Sequence, residues 1–204
     1  MWHWHIFKAD GHAALSANVA QSAHKFQINI VGFLLMTAII NDPMAINPGG
    51  IRHNGMNDHL ASILGLENVY SIPEVPTSES YMRIGEIEKT TLAQFAYFVK
   101  ETFNEEGIRI VGDLDKPVKK VAVLGGSGGN FAVQAKKLGC DCIITGEVKQ
   151  NNAIDALEYN MGIIEVSHSV EALFKEYIKN MLSSQFANVE FILSKKDVNP
   201  FKCL

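Results

Sequence analysis

A histidine and a glutamate three residues apart, His168 and Glu171, form the pair in this sequence best suited to hold a metal ion. They stand where a predicted strand gives way to a predicted helix, and side chains at this spacing on a helix can reach one point. Imidazole and carboxylate together suit zinc, manganese or iron equally well. The alternative is a hydrogen bond at the start of a helix, so the metal hypothesis requires distant residues to converge on the pair.

Two further histidines, His3 and His5, are candidates for that convergence. If residues 2–7 form a strand, the two-residue period places His3 and His5 on one face. Trp2 and Trp4 then lie on the other face, as anchors of the core or of an interface. Histidines close to the start of a chain can also lack any function.

A glycine-rich segment, Gly125, Gly126, Ser127 and Gly128, joins a predicted strand to a predicted helix. Glycines at such a turn let the backbone approach an anion, and free N–H groups there can bind phosphate oxygens. The segment matches neither the dinucleotide-binding fingerprint nor the P-loop. A tight turn that lets a strand and a helix pack closely explains it equally well.

A second segment with polar residues, Thr145–Lys149, also follows a predicted strand. Ligand sites of open parallel sheets lie beyond the carboxyl ends of the strands. Glu147 or Lys149 could therefore face such a crevice, although a solvated turn would have the same composition.

The elements that must position these residues alternate between strands and helices in the second half of the chain. This alternation predicts right-handed crossovers and a largely parallel sheet covered by helices on both faces. A segment with two prolines, Glu67–Glu88, is expected to be a loop that includes one short extended segment, Tyr81–Ile87. The predicted strands are Gly107–Val111, Val118–Leu124, Cys142–Thr145, Gly162–Ser167 and Val189–Leu193, and the predicted helices are Asp58–Leu66, Leu92–Phe103, Phe131–Leu138, Asn151–Tyr159 and Ser169–Leu182.

The length of 204 residues predicts one domain or two small interlocked lobes, and the composition is ordinary, with 47% hydrophobic residues, a net charge of −4 and a pI near 6.0. This charge argues against a broad basic surface for nucleic acid. The apolar run Ile28–Ile40 is too short to span a bilayer, and no secretory signal is visible, so we expect a cytoplasmic protein that does not bind membranes. Cys140 and Cys142 lack a redox or zinc spacing and are expected to be buried, inert thiols.

Several motifs in fixed order resemble one known family. The segments Val121–Leu138, Ile143–Lys149, Asn152–Ala156 and Val166–Glu171 are similar to the C-terminal half of the NIF-three-like family, whose members are named GTP cyclohydrolase I type 2 homologues. Upstream, the Gly55–Ala61 and Arg83–Gly85 segments resemble two further motifs of that family. The resemblance extends from Gly55 to Glu176, and it implies that the chain lacks the family's usual N-terminal segment.

The resemblance implies an α/β fold of interlocked lobes, with a mixed, largely parallel sheet flanked by helices. Residues 1–204 would form a single domain, in which residues 1–66 are a diverged N-terminal part and residues 67–204 the C-terminal α/β part. The family assembles into toroidal homohexamers, so the implied partners are further copies of the chain and a small phosphorylated or nucleotide-like ligand. Nucleic acid is not an expected partner.

The resemblance also implies two divalent metals per chain, zinc, iron or manganese, in the cleft between the lobes. Two metals that share a water molecule can deliver hydroxide for hydrolysis, in a GTP cyclohydrolase at C8 of the purine. The implied activity is therefore a metal-dependent hydrolase of a nucleotide-like or phosphorylated small molecule. Gly125, Gly126, Ser127 and Gly128 would then be candidates to bind phosphate.

Matching the family's ligands residue by residue gives His3, Asp42, His168 and Glu171. Trp2 occupies the position of the first histidine of the family's His-His pair and cannot ligate a metal, so His5 is the possible compensating ligand. Glu171 is also one residue closer to His168 than the family's spacing. These departures support an alternative, a non-catalytic oligomeric regulatory or scaffold protein with a vestigial metal site.

Overall fold

The computed structural model describes residues 55–71, 81–185, 187–188, 190–193, 199 and 201–202. Within these residues the chain forms one six-stranded sheet with helices on both faces. None of the described helices combines the length and the apolar character needed to cross a membrane.

Helices and strands alternate along the described part of the chain, much as the hydrophobic periodicity predicts. Two short 3-10 helices, Gly129–Phe131 and His168–Leu173, each lead directly into an α-helix. The α-helices are α1 (Met56–Ile63), α2 (Leu92–Phe103), α3 (Ala132–Lys137), α4 (Gln150–Glu158) and α5 (Phe174–Gln185), and the strands are β1 (Glu67–Tyr70), β2 (Arg83–Thr91), β3 (Arg109–Val111), β4 (Pro117–Leu124), β5 (Cys142–Thr145) and β6 (Gly162–Glu165).

The sheet is mixed, as predicted, and has the order β1-β2-β4-β5-β6-β3. Fewer of its described pairings are parallel than the predicted largely parallel sheet implies, because the pairings toward both edges are antiparallel. Its parallel pairings are confined to β4–β5 and β5–β6, the two pairs joined by helical crossovers. The other three described pairings, β1–β2, β2–β4 and β3–β6, are antiparallel. The parallel part of the sheet is thus its centre, and both described edges are antiparallel.

Two apolar clusters, one on each face, hold the helices against the sheet. The first packs α1, α2 and α5 on the strands through residues such as Leu60, Phe95 and Ile178. The second packs α3 and α4 through small side chains such as Ala135 and Ala156. Because both faces are covered, the central strand β5 is buried along its whole length. This explains why its sequence shows no alternation of apolar and polar residues.

The two thiols in the described part of the chain are buried, as predicted. Cys140 and Cys142 have no exposed surface and belong to opposite clusters. Burial raises the pKa of the Cys140 thiol to about 11 and also raises that of Cys142. Both thiols are therefore protonated at neutral pH, the form that is a poor nucleophile and a poor metal ligand.

Two predictions of secondary structure need correction. The strand predicted at Val189–Leu193 is wrong, because residues 190–193 make no pairing with any described strand. A run of β-branched and apolar residues favours a strand only where a neighbouring strand completes its ladder. Strand β1 was missed inside the predicted loop, because all four of its residues are exposed and give no hydrophobic signal.

A buried ion pair joins α1 to β2. The Asp58 carboxylate accepts two hydrogen bonds from the Arg83 guanidinium, at 2.5 Å from Nε and 2.9 Å from Nη2. The same carboxylate accepts the Gly55 N–H at 3.0 Å and so also caps the start of α1. The Arg83 side chain is only 5% exposed and that of Asp58 is 19% exposed.

Breaking this pair from one side should destabilise the fold strongly. We expect Asp58→Asn to lower the free energy of unfolding by about 3 kcal/mol, because it removes the carboxylate charge that accepts two hydrogen bonds from the buried Arg83 guanidinium. The matched control is Glu86→Gln, which breaks an exposed pair with Lys119 and should cost less than about 1 kcal/mol. Urea unfolding of both variants measures the difference, and equal losses would contradict this role for the buried pair.

His59 lies on α1 and packs against two aromatic residues of α5. Its ring lies 4.7 Å from the Tyr177 ring and 6.0 Å from the Phe174 ring, measured between centroids. Burial lowers its pKa below the usual 6.5, and a hydrogen bond with the Leu173 backbone opposes this only in part.

As the pH falls, His59 is therefore protonated in the unfolded chain before it is protonated in the folded protein. The free energy of unfolding should decrease as the pH drops below about 6.5, and this decrease should end once the pH is below the pKa of His59 in the folded protein. We expect His59→Phe, which keeps an aromatic ring, to reduce this slope without changing the dependence above pH 7. Urea unfolding at a series of pH values measures both slopes. Identical slopes below pH 6.5 in the two proteins would show that His59 does not contribute.

Candidate functional site

The candidate site lies beyond the carboxyl ends of the three parallel strands. The last residues of these strands are paired in register: Leu124 of β4 with Thr145 of β5, and Thr145 with Glu165 of β6. The glycine-rich turn, the Gly146–Lys149 loop and the His168–Leu173 helix follow these strands directly. Three segments far apart in sequence therefore meet at one edge, where open α/β sheets bind ligands.

His168 lies between two carboxylates. Its Nε2 is 3.2 Å from Oε2 of Glu147, within hydrogen-bond distance, and its Nδ1 is 3.8 Å from Oε1 of Glu171. The side chains of His168 and Glu147 are about half exposed, at 46% and 47%. The structure thus brings His168 and Glu171 close together, and Glu147 joins them from the neighbouring loop.

Glu171 is the buried member of this group. Its side chain is 14% exposed, and burial raises the pKa of its carboxyl group while the nearby His168 opposes that rise. An added Cβ at Gly126 would lie 3.3 Å from Oε1 of Glu171 and 3.9 Å from the His168 ring. The absence of a side chain at Gly126 therefore leaves the space in front of the His–Glu pair open.

The glycine-rich turn is also packed tightly into the protein, which supports an architectural role for three of its glycines. An added Cβ at Gly125 would lie 2.6 Å from the Met56 side chain, and one at Gly128 would lie 2.5 Å from Oγ1 of Thr145. One at Gly129 would approach Val148 to 3.0 Å. The end of the flexible Met56 side chain can move aside, so the contact at Gly125 is the least restrictive. The contacts at Gly128 and Gly129, with the Thr145 side chain and the Val148 backbone, favour glycine whether or not the turn binds a ligand.

The Thr145 hydroxyl links the turn to the end of β5. It accepts the Gly128 N–H at 2.9 Å and donates to the Gly126 carbonyl at 3.1 Å. The Gly146 N–H donates to the same carbonyl at 2.9 Å. These three bonds hold the turn and the loop together directly beneath His168.

Two backbone N–H groups of the turn, those of Gly126 and Ser127, donate to no acceptor among the described residues. Gly126 has a positive φ of 71° and is partly exposed, and Ser127 is exposed. Successive free N–H groups in such a turn form a concavity that suits an anion. The structure thus separates the predicted phosphate-binding residues into two that offer free donors and two that are packed.

Asn57 holds the turn from the opposite side and was missed in the sequence. Its amide oxygen accepts the Gly125 N–H at 2.8 Å, and its amide nitrogen donates to the Tyr81 carbonyl at 2.9 Å. It is only 8% exposed, so both bonds are shielded from water. Asn57 lies in the Gly55–Ala61 motif, so the sequence did single out its segment. Its bond to Gly125, 68 residues away, could not be read from the sequence.

One cation borders the site at its outer end. Arg109 begins β3 directly opposite Glu165, and its Nη2 donates to the Glu165 carboxylate and, at 3.5 Å, to the Val148 carbonyl. The Arg109 side chain is 72% exposed, whereas that of Glu165 is 12% exposed. The guanidinium therefore extends over the Gly146–Lys149 loop with most of its donors in solvent.

The donor set fits a divalent metal in part. An imidazole and a carboxylate that face each other at 3.8 Å match the ligand types of zinc, iron and manganese sites. Among the described residues, however, no three histidine, cysteine, aspartate or glutamate side chains are arranged to hold a metal. The other predicted ligands, His3, Asp42 and His5, lie outside the described residues, as does Trp2.

Comparison with known proteins places the chain in a family. The model of the Duf34/NIF3 (NGG1p interacting factor 3) family matches residues 50–200. This chain is a member of the Duf34/NIF3 family. The resemblance inferred from the motifs is thereby confirmed.

Two relatives share the name GTP cyclohydrolase 1 type 2 homolog. The one from Bacillus subtilis is 34% identical over 142 residues, which are 67% of this chain and 38% of the relative. The one from Streptococcus pneumoniae is 32% identical over 159 residues, or 74% of this chain and 60% of the relative. The chain thus matches about two fifths to three fifths of the length of these Duf34/NIF3 relatives.

Solved structures agree with the fold. A Bacillus cereus protein related to NIF3 is 35% identical, has a TM-score of 0.59 and matches 61% of this chain and 35% of its own. A Staphylococcus aureus protein with a TM-score of 0.66 is 24% identical and covers 76% of this chain and 67% of its own. At this low identity, the Staphylococcus aureus structure supports the fold of the chain and nothing about its function.

The hydroxyl of Thr145 gives a direct test of how the site is built. We expect Thr145→Val to lower the free energy of unfolding by about 1 kcal/mol, because the Gly128 N–H and the Gly126 carbonyl lose the hydroxyl and keep their backbone partners, while the side-chain volume is unchanged. Thr90→Val is the control, since its hydroxyl makes only an exposed bond to Gln94. Urea unfolding measures both, and a Thr145→Val variant as stable as the control would show that the hydroxyl does not secure the turn.

Proposed function

We propose that this chain is a metal-dependent hydrolase that acts on a phosphorylated or nucleotide-like small molecule. The observation that carries the proposal is the meeting of His168 and Glu171 beside the free N–H groups of the glycine-rich turn. Side chains that could ligate a metal and backbone N–H groups that could bind an anion thus lie next to each other. The names of the Duf34/NIF3 relatives, GTP cyclohydrolase 1 type 2 homologues, agree with a nucleotide-like substrate.

His168 and Glu171 would hold the metal. Glu171 supplies a carboxylate that is already shielded from water, so its attraction for a cation is weakly screened. A bound divalent metal would supply an acidified water as nucleophile and would polarise the substrate oxygen. His3, Asp42 and, in place of the residue lost at Trp2, His5 are the proposed further ligands of a centre with two metals per chain.

The glycine-rich turn would bind the negative end of the substrate. The N–H groups of Gly126 and Ser127 point to no described acceptor and can donate to phosphate oxygens. The exposed Arg109 guanidinium at the outer end of the same crevice adds a positive charge with spare donors. A phosphate on the turn would place the rest of a small substrate close to His168.

The assembly proposed for the active protein is a homohexamer in the cytoplasm. A ring of six identical chains is the assembly that the family resemblance implies. The acidic composition gives no support to nucleic acid as a partner. Oligomeric state is measurable by light scattering at any stage of purification.

A second candidate function is a non-catalytic regulatory or scaffold protein with a vestigial metal site. The observation that favours it is Trp2 at the position of a family histidine, since an indole N–H has no lone pair to offer a metal. Metal content separates the two candidates, because a vestigial site would bind metal weakly or not at all.

The proposed function predicts the metal content of protein purified without chelator. We expect about two equivalents of zinc, iron or manganese per chain by mass spectrometry, and a loss of at least about one equivalent in Glu171→Gln, which keeps the shape but removes the anionic ligand. Glu158→Gln on the exposed end of α4 is the matched control and should retain the wild-type content. The loaded protein is then screened for release of phosphate or formate from nucleotides.

Less than about 0.2 equivalents in the wild-type protein after metal loading would overturn the hydrolase and leave the scaffold. Full metal content in Glu171→Gln would instead remove Glu171 from the site. Metal without any turnover across nucleotides and phosphorylated small molecules would contradict the proposed substrate class.

A further inference from the structure

The Glu147 side chain has a partner that the proposed metal site does not require. Its Oε2 lies 3.2 Å from Nε2 of His168, on the side of the imidazole ring opposite to Glu171. In the sequence, Glu147 was assigned either to a crevice or to a solvated turn. Its contact with His168 places it beside the candidate site, with about half of its side chain exposed.

The backbone around Glu147 fixes where its side chain can reach. Its carbonyl accepts the Gly129 N–H at 3.2 Å, and the preceding Gly146 N–H donates to the Gly126 carbonyl at 2.9 Å. An added Cβ at Gly146 would lie 3.0 Å from the Gly126 carbonyl oxygen and 3.5 Å from the His168 Cα. Glycine at position 146 therefore lets the loop approach His168 closely enough for the contact.

The two ring nitrogens of His168 consequently have different neighbours. A neutral imidazole has one N–H donor and one nitrogen with a free lone pair, and the hydrogen bond at one nitrogen selects the role of the other. A carboxylate only accepts, so a hydrogen bond to Glu147 requires the proton to be on Nε2. The lone pair is then on Nδ1, the nitrogen that faces Glu171 at 3.8 Å.

We propose that Glu147 is a positioning residue that holds the proton of His168 on Nε2 and thereby directs the Nδ1 lone pair toward Glu171 and a shared metal. The inference rests on the proposed function in one respect, the identity of the ion. It assigns a role to each residue of the Thr145–Glu147 segment: the threonine secures the turn, the glycine permits close approach and the glutamate orients the histidine. Hydrogen-bonded carboxylates behind metal-binding histidines commonly have this effect.

The arrangement of the carboxylates agrees with this division of roles. Glu171 is largely shielded from water, whereas Glu147 is about half exposed. Water competes at the Glu147 contact, so the carboxylate biases the ring rather than locking it. We therefore expect effects on the tautomer and on metal affinity that are graded.

The first experiment reads the tautomer in the metal-free protein by nitrogen-15 NMR of the histidine rings, at a pH where the imidazole is neutral. The His168 signals are assigned by their loss in His168→Gln. We expect the proton on Nε2 in the wild type, a larger fraction of the Nδ1–H form in Glu147→Ala, and the wild-type state in Glu147→Gln, whose amide oxygen still accepts. Glu158→Ala, an exposed glutamate on α4, is the control and should leave the His168 signals unchanged.

The second experiment measures zinc affinity by competition with a chromophoric chelator. We expect Glu147→Ala to weaken zinc binding by about tenfold and Glu147→Gln to weaken it less, since loss of such a supporting carboxylate typically costs 10–100-fold. In the zinc-loaded protein, the nitrogen signal that moves should be that of Nδ1. Unfolding in urea confirms that the variants are folded.

A proton on Nδ1 in the wild type, or the same tautomer in Glu147→Ala as in the wild type, would overturn the inference. A zinc-induced shift at Nε2 would do the same, because Glu147 would then be a ligand itself. Failure of the wild-type protein to bind zinc would overturn the proposed metal function, and the tautomer in the metal-free protein would still decide the role of Glu147.

Discussion

The parallel pairing of β4, β5 and β6 is the constraint on which the site depends. Because the three strands end in register, the segments that follow them must leave the sheet at the same edge and cross within a few ångströms of one another. The crossover helices α3 and α4 lie between the strands in sequence and hold this register from the second face. The His168 and Glu147 side chains meet only because of that register.

Close approach of these segments explains the chemistry of the residues between them. Each segment leaves a strand with unpaired backbone groups, and the Thr145 hydroxyl and the neighbouring backbone satisfy those in the interior. A side chain at Gly128 would clash with Thr145 at 2.5 Å, and one at Gly146 would press against the Gly126 carbonyl at 3.0 Å. The Gly126 and Ser127 N–H groups, which have no acceptor among the described residues, lie in the partly exposed or exposed part of the turn, where a ligand can reach them.

The carboxylates beside His168 favour a cation there, whereas the exposed guanidinium at the outer end of the site favours an anion. Glu147 and Glu171 flank a single imidazole, whereas the guanidinium of Arg109 is paired with Glu165 and faces solvent. Such an arrangement suits a metal with a phosphorylated ligand bound across it. The Trp2 departure bears on the proposed metal centre and does not involve these described side chains.

The sequence by itself determined the order and type of most elements and the family, because hydrophobic periodicity, strand-to-helix turns and ordered motifs are local properties. It placed His168 and Glu171 correctly as neighbours, since three residues at the start of a helix cannot separate far. It failed at β1, whose exposed residues have no pattern, and at residues 190–193, where β propensity found no neighbouring strand.

Only the tertiary structure decided that Glu147 contacts His168, that Asn57 holds Gly125 and that three glycines of the turn are packed. Those contacts join segments separated by 21 and 68 residues, and they depend on strand register. Register is set by the packing of the whole sheet, a property that no local pattern contains.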